Sequence, residues 1–343
     1  MYLISMRDCG GCLLLQPTRF WQNRIIAPME KKYPEFYQNQ LCPMKGFAED
    51  IFYGAAMGRS IRKLSQAKPF HLFSKVEIET INRCNNDCSF CPVNRNCDTR
   101  AFKMMSRDLF LSVIRQLEEL QYSGSLCLFS NNEPLLDKRI VEFHQIVRRF
   151  LPNSYIYLYT NGELLTIEKF QKLMRCLDYI IIDNYSDDMS LINPIKIIKD
   201  FIISDTDNNY QERALIQSFR KNAIRSTRGG QANNRHNLYQ RKSSCVLPFS
   251  QLVIRPDGKI SLCCQDALGK YTLGDLAQQP VLDAWNGEEY WKMRNLILKG
   301  GHQIDLCRFC DHFHYLFHPF SIKSQCRDKI RRNLEIIKIS KKS

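Results

Sequence analysis

Three cysteines fall within eight residues in "NRCNNDCSFCP" (82–92): Cys84, Cys88 and Cys91. Thiolates are soft ligands, so this spacing points to metal binding or redox chemistry. A redox CxxC needs only two of them. Structural zinc wants a closed shell of four, typically as two pairs, and the nearest fourth is the loosely spaced Cys97. An iron–sulfur cube on three thiolates fits the count better, because one iron stays open to a further ligand. On spacing alone zinc remains a rival. A second group of thiols follows far along the chain: Cys245, adjacent Cys263 and Cys264, and Cys307 with Cys310 as a CxxC.

Fifteen cysteines in 343 residues are the compositional outlier. Their number is odd, they cluster, and the N-terminus is a poor signal peptide because Arg7 and Asp8 interrupt its apolar part. Metal binding in a reducing compartment explains them better than a disulfide framework, and a cytoplasmic protein is expected. Met6 and Met29 are alternative candidate starts. Hydrophobic content of 44% and charged content of 24% are those of a globular chain. No apolar run approaches the roughly 18 to 20 residues that would span a bilayer. The net charge of +14 gathers in residues 214–242 and 321–343. Such runs are usually solvated faces, and nucleic-acid binding through them is the lesser reading.

The elements that must carry these thiols alternate. "KVEIETI" (75–81) reads as a strand that leads straight into the cysteine loop. "MSRDLFLSVIRQLEEL" reads as a helix capped by Ser106, with Leu109, Val113, Leu117 and Leu120 on one stripe. Strands are expected at "SLCLF" (125–129), "YIYLY" (155–159), "YIIID" (179–183) and "RALIQSF" (213–219). Between them stand a helix capped by Asp137, one starting near Thr166 and one around 190–201. Alternation at this spacing implies βαβ units and a parallel sheet or barrel. The cysteine loop, "NNEP" and "TNG" each follow a strand, and in a parallel barrel such loops gather at the C-terminal face, where active sites are built. From 245 the texture changes. "QLVIRPDGKISLCC" predicts a hairpin around Pro256-Asp257-Gly258, and "VLDAWNGEEYWKMRNLILKG" a single helix before the CxxC.

This order of motifs closely resembles the radical S-adenosylmethionine (SAM) superfamily. Its CxxxCxxC, with an aromatic before the last cysteine, stands here as Cys84, Cys88, Phe90 and Cys91. "SNNEPLLD" stands where that family usually has Gly-Gly-Glu-Pro, and "YTNGELL" matches its frequent segment after the third strand. The resemblance implies a partial (β/α) parallel barrel. It also implies a [4Fe-4S] cluster on Cys84, Cys88 and Cys91 whose open iron binds SAM. SAM contacts are then expected from Asn131, Asn132, Glu133, Asn161, Asp183, Asn184 and Arg225. Two asparagines replace two glycines, so glycine-only backbone angles cannot be assumed there. The implied reaction is reductive SAM cleavage to a 5′-deoxyadenosyl radical, which abstracts hydrogen from an unactivated C–H bond.

The C-terminal part resembles the SPASM or shorter twitch domains. That resemblance implies one auxiliary [4Fe-4S] cluster on Cys245, Cys263, Cys307 and Cys310, with Cys264 left as a packing residue. Expected domains are an unassigned extension (1–70), a radical SAM core (71–235), the auxiliary domain (236–320) and a basic tail (321–343). Net oxidation of a sugar-like alcohol or of a peptide is expected, with redox-neutral epimerisation as a third outcome and electrons from a flavodoxin- or ferredoxin-like donor. The competing class is a non-catalytic iron–sulfur or zinc protein that binds nucleic acid. Cys127 and Cys176 read as small core residues. Cys9 and Cys12 form a CGGC near the N-terminus, and His302, His312, His314 and His318 a loose group near the CxxC. Trp285, Trp291 and Phe309 are expected to pack around the auxiliary site.

Overall fold

The computed structural model describes residues 72–222, 227–232, 239–240 and 242–310, with single positions at 33, 36, 44, 47 and 61. Cys9, Cys12, Arg225, His312, His314, His318 and the tail 321–343 lie outside the described residues. Five strands run in parallel: β1 (Lys75–Ile78), β2 (Ser125–Cys127), β3 (Tyr155–Thr160), β4 (Tyr179–Tyr185) and β5 (Ala214–Phe219). The helices between them are α1 (Arg107–Glu119), α2 (Ile140–Phe150), α3 (Ile167–Met174), α4 (Asn193–Ser204) and the short α5 (Tyr210–Arg213). The sheet stays open, in the order β5-β4-β3-β2-β1 and onward through β6 (Gln251–Ile254), β7 (Lys259–Ser261) and β8 (Thr272–Asp275).

That continuation was not foreseen. Strand β6 pairs in parallel with β1, Lys75 opposite Gln251 and Glu77 opposite Val253, so the expected hairpin extends the sheet instead of standing apart. Strands β6 and β7 are antiparallel, and Gly258 closes their turn at φ +82°. The single helix expected near 281–300 is two, α6 (Val281–Trp285) and α7 (Glu288–Leu298), broken at Asn286-Gly287. The CxxC begins on the short α8 (Asp305–Arg308). Among the described residues, no helix is long and apolar enough to cross a membrane.

Local signals explain the helix starts. Ser106 accepts from the Leu109 N–H and Thr166 from the Lys169 N–H, as side-chain caps do. Phe110, Val113, Ile114 and Leu117 bury one stripe of α1, and the ring of Phe110 stacks on Phe143 of α2 at 4.1 Å. Asp137 is not the cap of α2. It ends the 3-10 turn Pro134–Leu136 and accepts from the Arg139 backbone and guanidinium, so α2 starts at Ile140. At the far end, Trp285 is fully buried edge-on against Phe73 and Tyr290, with the Arg294 guanidinium 4.2 Å above its ring. Arg294 also donates to the Pro248 carbonyl. Burial pulls its pKa down to about 10.

Candidate functional site

The three clustered cysteines sit just beyond β1, where Asn94 clips their loop by donating to the carbonyls of Cys88 and Cys91 at 2.9 and 3.0 Å. Cys84 and Cys91 are half-buried and Cys88 is buried, whereas Cys97 is exposed. Cys84, Cys88 and Cys91 line one cleft of about 570 Å³, together with Asn131, Asn132, Glu133, Asn161, Asp183, Tyr185 and Arg228. Cys97 is not among its walls. Burial pushes the Cys84 thiol up, and burial with the neighbouring Cys91 pushes Cys88 up to about 12. Both are thiols at neutral pH until a bound metal displaces their protons.

Asn131 and Asn132 have no positive φ, so the loop that replaces the two glycines follows a path open to any residue. Its backbone is pinned from both sides: Glu79 accepts from the Asn131 N–H at 2.6 Å and Arg100 donates to the Asn131 carbonyl at 3.1 Å. Glu133 is 2% exposed and knits two loops together. Its Oε1 accepts from the Leu135 N–H and the Thr160 hydroxyl, and its Oε2 accepts from the Asn161 N–H at 2.7 Å. Burial raises its pKa to about 7. Asn161 in turn donates to Asn85 of the cysteine loop at 2.8 Å. Nothing local in the sequence around Glu133 marks this clamp, because Thr160 and Asn161 lie 27 and 28 residues further on.

Strand alternation sorts the end of β4. Asp183 and Tyr185 face the cleft, and Phe90 of the cysteine loop packs on the Tyr185 ring at 5.8 Å. Asn184 points the other way and is fully buried. It donates to the Ser190 carbonyl and accepts from the Ile192 N–H, which fixes the turn into α4. The expected SAM contact from Asn184 is therefore corrected: its amide is committed to that turn, and Asp183 and Tyr185 take the cleft.

A second pocket, of about 390 Å³, is lined by Cys245, Cys263, Cys307 and Cys310 with Leu247, Pro248, Gln265, Gly301 and Leu306. Cys264 is not among its walls. Both Cys263 and Cys264 lie past the end of β7, in a turn and not in the strand expected for them. Burial, reinforced by Cys264, Cys307, Cys245 and Cys310, raises the Cys263 pKa well above the ordinary thiol value. Among the described residues, no three His, Cys, Asp or Glu side chains close on a lone metal ion. The thiols surround the two pockets instead. Trp285 and Trp291 do not line the second pocket, nor does Phe309.

Between the pockets runs the segment Thr227-Arg228-Gly229-Gly230-Gln231. Arg228 reaches the Cys264 carbonyl at 3.4 Å, Thr227 donates to the Phe309 carbonyl, and Gln231 holds Asp266 and the Leu268 N–H. Gly229 and Gly230 both take positive φ, and a Cβ at Gly229 would sit 2.6 Å from the Leu306 carbonyl oxygen. The first six residues of the stretch 214–242, none of them basic, form the edge strand β5.

The cleft can be tested for its fit to a zwitterionic guest. Asn131 Oδ1 and Asn132 Nδ2 are buried and have no hydrogen-bond partner. Buried amide atoms are rarely left so. They offer one acceptor and one donor, which suits the ammonium and carboxylate of SAM's methionine part.

Residues 78–192 match the radical SAM superfamily model, and residues 245–311 match SPASM, an iron–sulfur cluster-binding domain. The chain is a radical SAM protein with a SPASM domain, and its cofactors are SAM and [4Fe-4S] clusters. It is similar to the S-adenosyl-L-methionine-dependent 2-deoxy-scyllo-inosamine dehydrogenase of Niallia circulans, at 25% identity over 243 residues, covering 70% of this chain and 93% of that protein. In fold it is similar to BtrN in complex with AdoMet and 2-DOIA, with a TM-score of 0.61 at 24% identity over 71% of this chain and 94% of that one. BtrN in an open conformation matches with a TM-score of 0.53 at 21% identity, over the same 71% and 94%.

Proposed function

We propose that this chain oxidises a secondary alcohol on a small polyhydroxylated ring of the aminocyclitol type. In this reading Cys84, Cys88 and Cys91 hold the SAM-binding cluster and Cys245, Cys263, Cys307 and Cys310 hold the auxiliary one. Asn131, Asn132, Glu133, Asn161 and Asp183 orient SAM. When bound, these groups supply a hydrogen-abstracting 5′-deoxyadenosyl radical and an acceptor for the electron left on the substrate. The chain's own part is to bind, orient and exclude water. Glu133, poised at about 7, is driven to its ionised form by an ammonium docked against it. Phe90 and Tyr185 line the cleft, pack on each other and keep solvent from that side, and Phe219 packs against Tyr185.

The observation that carries the reading is the pair of cysteine-lined pockets bridged by Asn131 and Arg228, both of which line the cleft and reach the carbonyl next to Cys263. Two redox sites so joined suit a two-electron oxidation. The small-ring substrate is favoured over a peptide by the aminocyclitol dehydrogenase relative. A flavodoxin- or ferredoxin-like donor and a cytoplasmic setting accompany the reading.

The test is isotopic. The reconstituted enzyme, with SAM and reductant, is given 2-deoxy-scyllo-inosamine and related ring alcohols deuterated at the carbinol carbons. Transfer of deuterium into 5′-deoxyadenosine together with a ketone product is expected. SAM cleavage without deuterium transfer from any of them would remove this substrate class.

A further inference from the structure

Four buried side chains and the half-buried backbone of Cys264 close a ring of hydrogen bonds between the two pockets. Asn131 Nδ2 donates to the Cys264 carbonyl at 3.1 Å and to Ser130 Oγ at 3.2 Å. Ser130 Oγ donates to Glu77 Oε2 at 2.7 Å. Gln251 Nε2 donates to Glu77 Oε1 at 2.9 Å, and Gln251 Oε1 accepts the Cys264 N–H at 3.3 Å. Donors and acceptors alternate around the ring without conflict. Glu77, Ser130, Asn131 and Gln251 are all at most 5% exposed, so solvent does not compete for these bonds.

The ring draws on β1, the loop after β2, β6 and the turn after β7, and it holds both backbone polar groups of one residue, the N–H and C=O of Cys264, so the peptide units on either side of it are both tied. The neighbouring Cys263 lines the second pocket, while Asn131 lines the cleft and keeps its Oδ1 unmatched. We propose that this ring is a positioning device coupling the two pockets: it fixes the Cys264 peptide, which aims the Cys263 thiol at the second pocket, and it tightens when a ligand in the cleft engages Asn131. Gln251 and Glu77 are then positioning residues. The role of the asparagine in place of glycine at 131 is to supply the donor that reaches Cys264. The first part rests on geometry alone; the second rests on SAM as the occupant of the cleft.

Hydrogen exchange of the segment 262–266 in the reconstituted protein tests both parts. Without SAM, Gln251→Met keeps the volume but removes both bonds, and it should speed exchange there about three- to tenfold, the worth of one hydrogen bond. Ser130→Ala, which breaks the ring away from Gln251, should do the same to a smaller degree and stands in if Gln251→Met fails to fold. With saturating SAM, the wild type should slow at 262–266, and Asn131→Gly should not, although Glu79 and Arg100 still pin its loop. Unchanged exchange in both ring variants overturns the device. A wild type that binds SAM in titration without slowing at 262–266 overturns the coupling. Failure of the wild type to bind SAM at all would instead sink the reading of the cleft and leave the first arm to stand or fall by itself.

Discussion

Glu133→Gln is the substitution whose cost can be worked most fully from the structure. The carboxylate accepts two backbone N–H groups, from Leu135 on one oxygen and from Asn161 on the other, and the Thr160 hydroxyl besides. An amide has one oxygen. In either orientation its NH₂ faces a backbone N–H, so one buried donor loses its acceptor, at about 1–3 kcal/mol. Urea unfolding at pH 8 should show that loss with an unchanged m-value. The variant also removes the anion that would meet SAM's ammonium. A hydrogen bond to a charged partner contributes about 1.5–3 kcal/mol, so SAM should bind roughly tenfold to a hundredfold more weakly. Wild-type affinity should rise with pH up to about 7 and level off above, because burial holds the carboxyl protonated below that value. The variant should lose this dependence. Stability runs the other way: between the ordinary carboxyl pKa and about 7 the folded chain holds a proton that the unfolded chain has released. Wild-type stability therefore declines as pH rises through that window. Equal urea midpoints and equal SAM titrations for the two proteins would refute both the clamp and the anion.

Four further substitutions separate framework from site. Asn184→Ala strands the Ile192 N–H and should cost about 1–3 kcal/mol in urea while SAM titrates as in the wild type; a selective loss of SAM affinity would restore Asn184 to the cleft. Gly162→Ala places a Cβ 2.8 Å from side-chain atoms of Ile182 and Ile195 at φ +73°, so thermal unfolding should register at least about 2 kcal/mol. Cys263→Ala should lose about four irons per chain and Cys264→Ala none, by iron and sulfide analysis; the reverse pattern would exchange their roles.

The parts legible in the sequence were those set by local rules. Period-two β-branched runs gave the parallel strands, and Ser106 and Thr166 marked two helix starts through a contact three residues away. The cysteine spacing marked both thiol groups. What escaped depends on partners distant in the chain. Nothing local in "QLVI" says that β6 will pair with β1, about 175 residues earlier. Asp137 resembles a cap until the preceding 3-10 turn is seen to use it. The Asn184 assignment failed on parity, because ending β4 at Asp183 hid the alternation that carries on to Tyr185. The ring missed altogether did leave a trace. Lys75 and Glu77 on β1 and Glu79 just past it alternate with apolar residues, which is an unusual number of charges for one face of a parallel strand and its end.

The central claim is that Cys84, Cys88 and Cys91 hold the cluster that opens SAM. The direct measurement is 5′-deoxyadenosine formed from SAM and dithionite by the anaerobically reconstituted protein, beside a variant with all three cysteines changed to alanine. The account predicts steady formation by the wild type and none by the variant, which should still retain the iron of the second pocket. A wild type carrying its full iron that forms no 5′-deoxyadenosine, or a triple variant that forms as much, would contradict it.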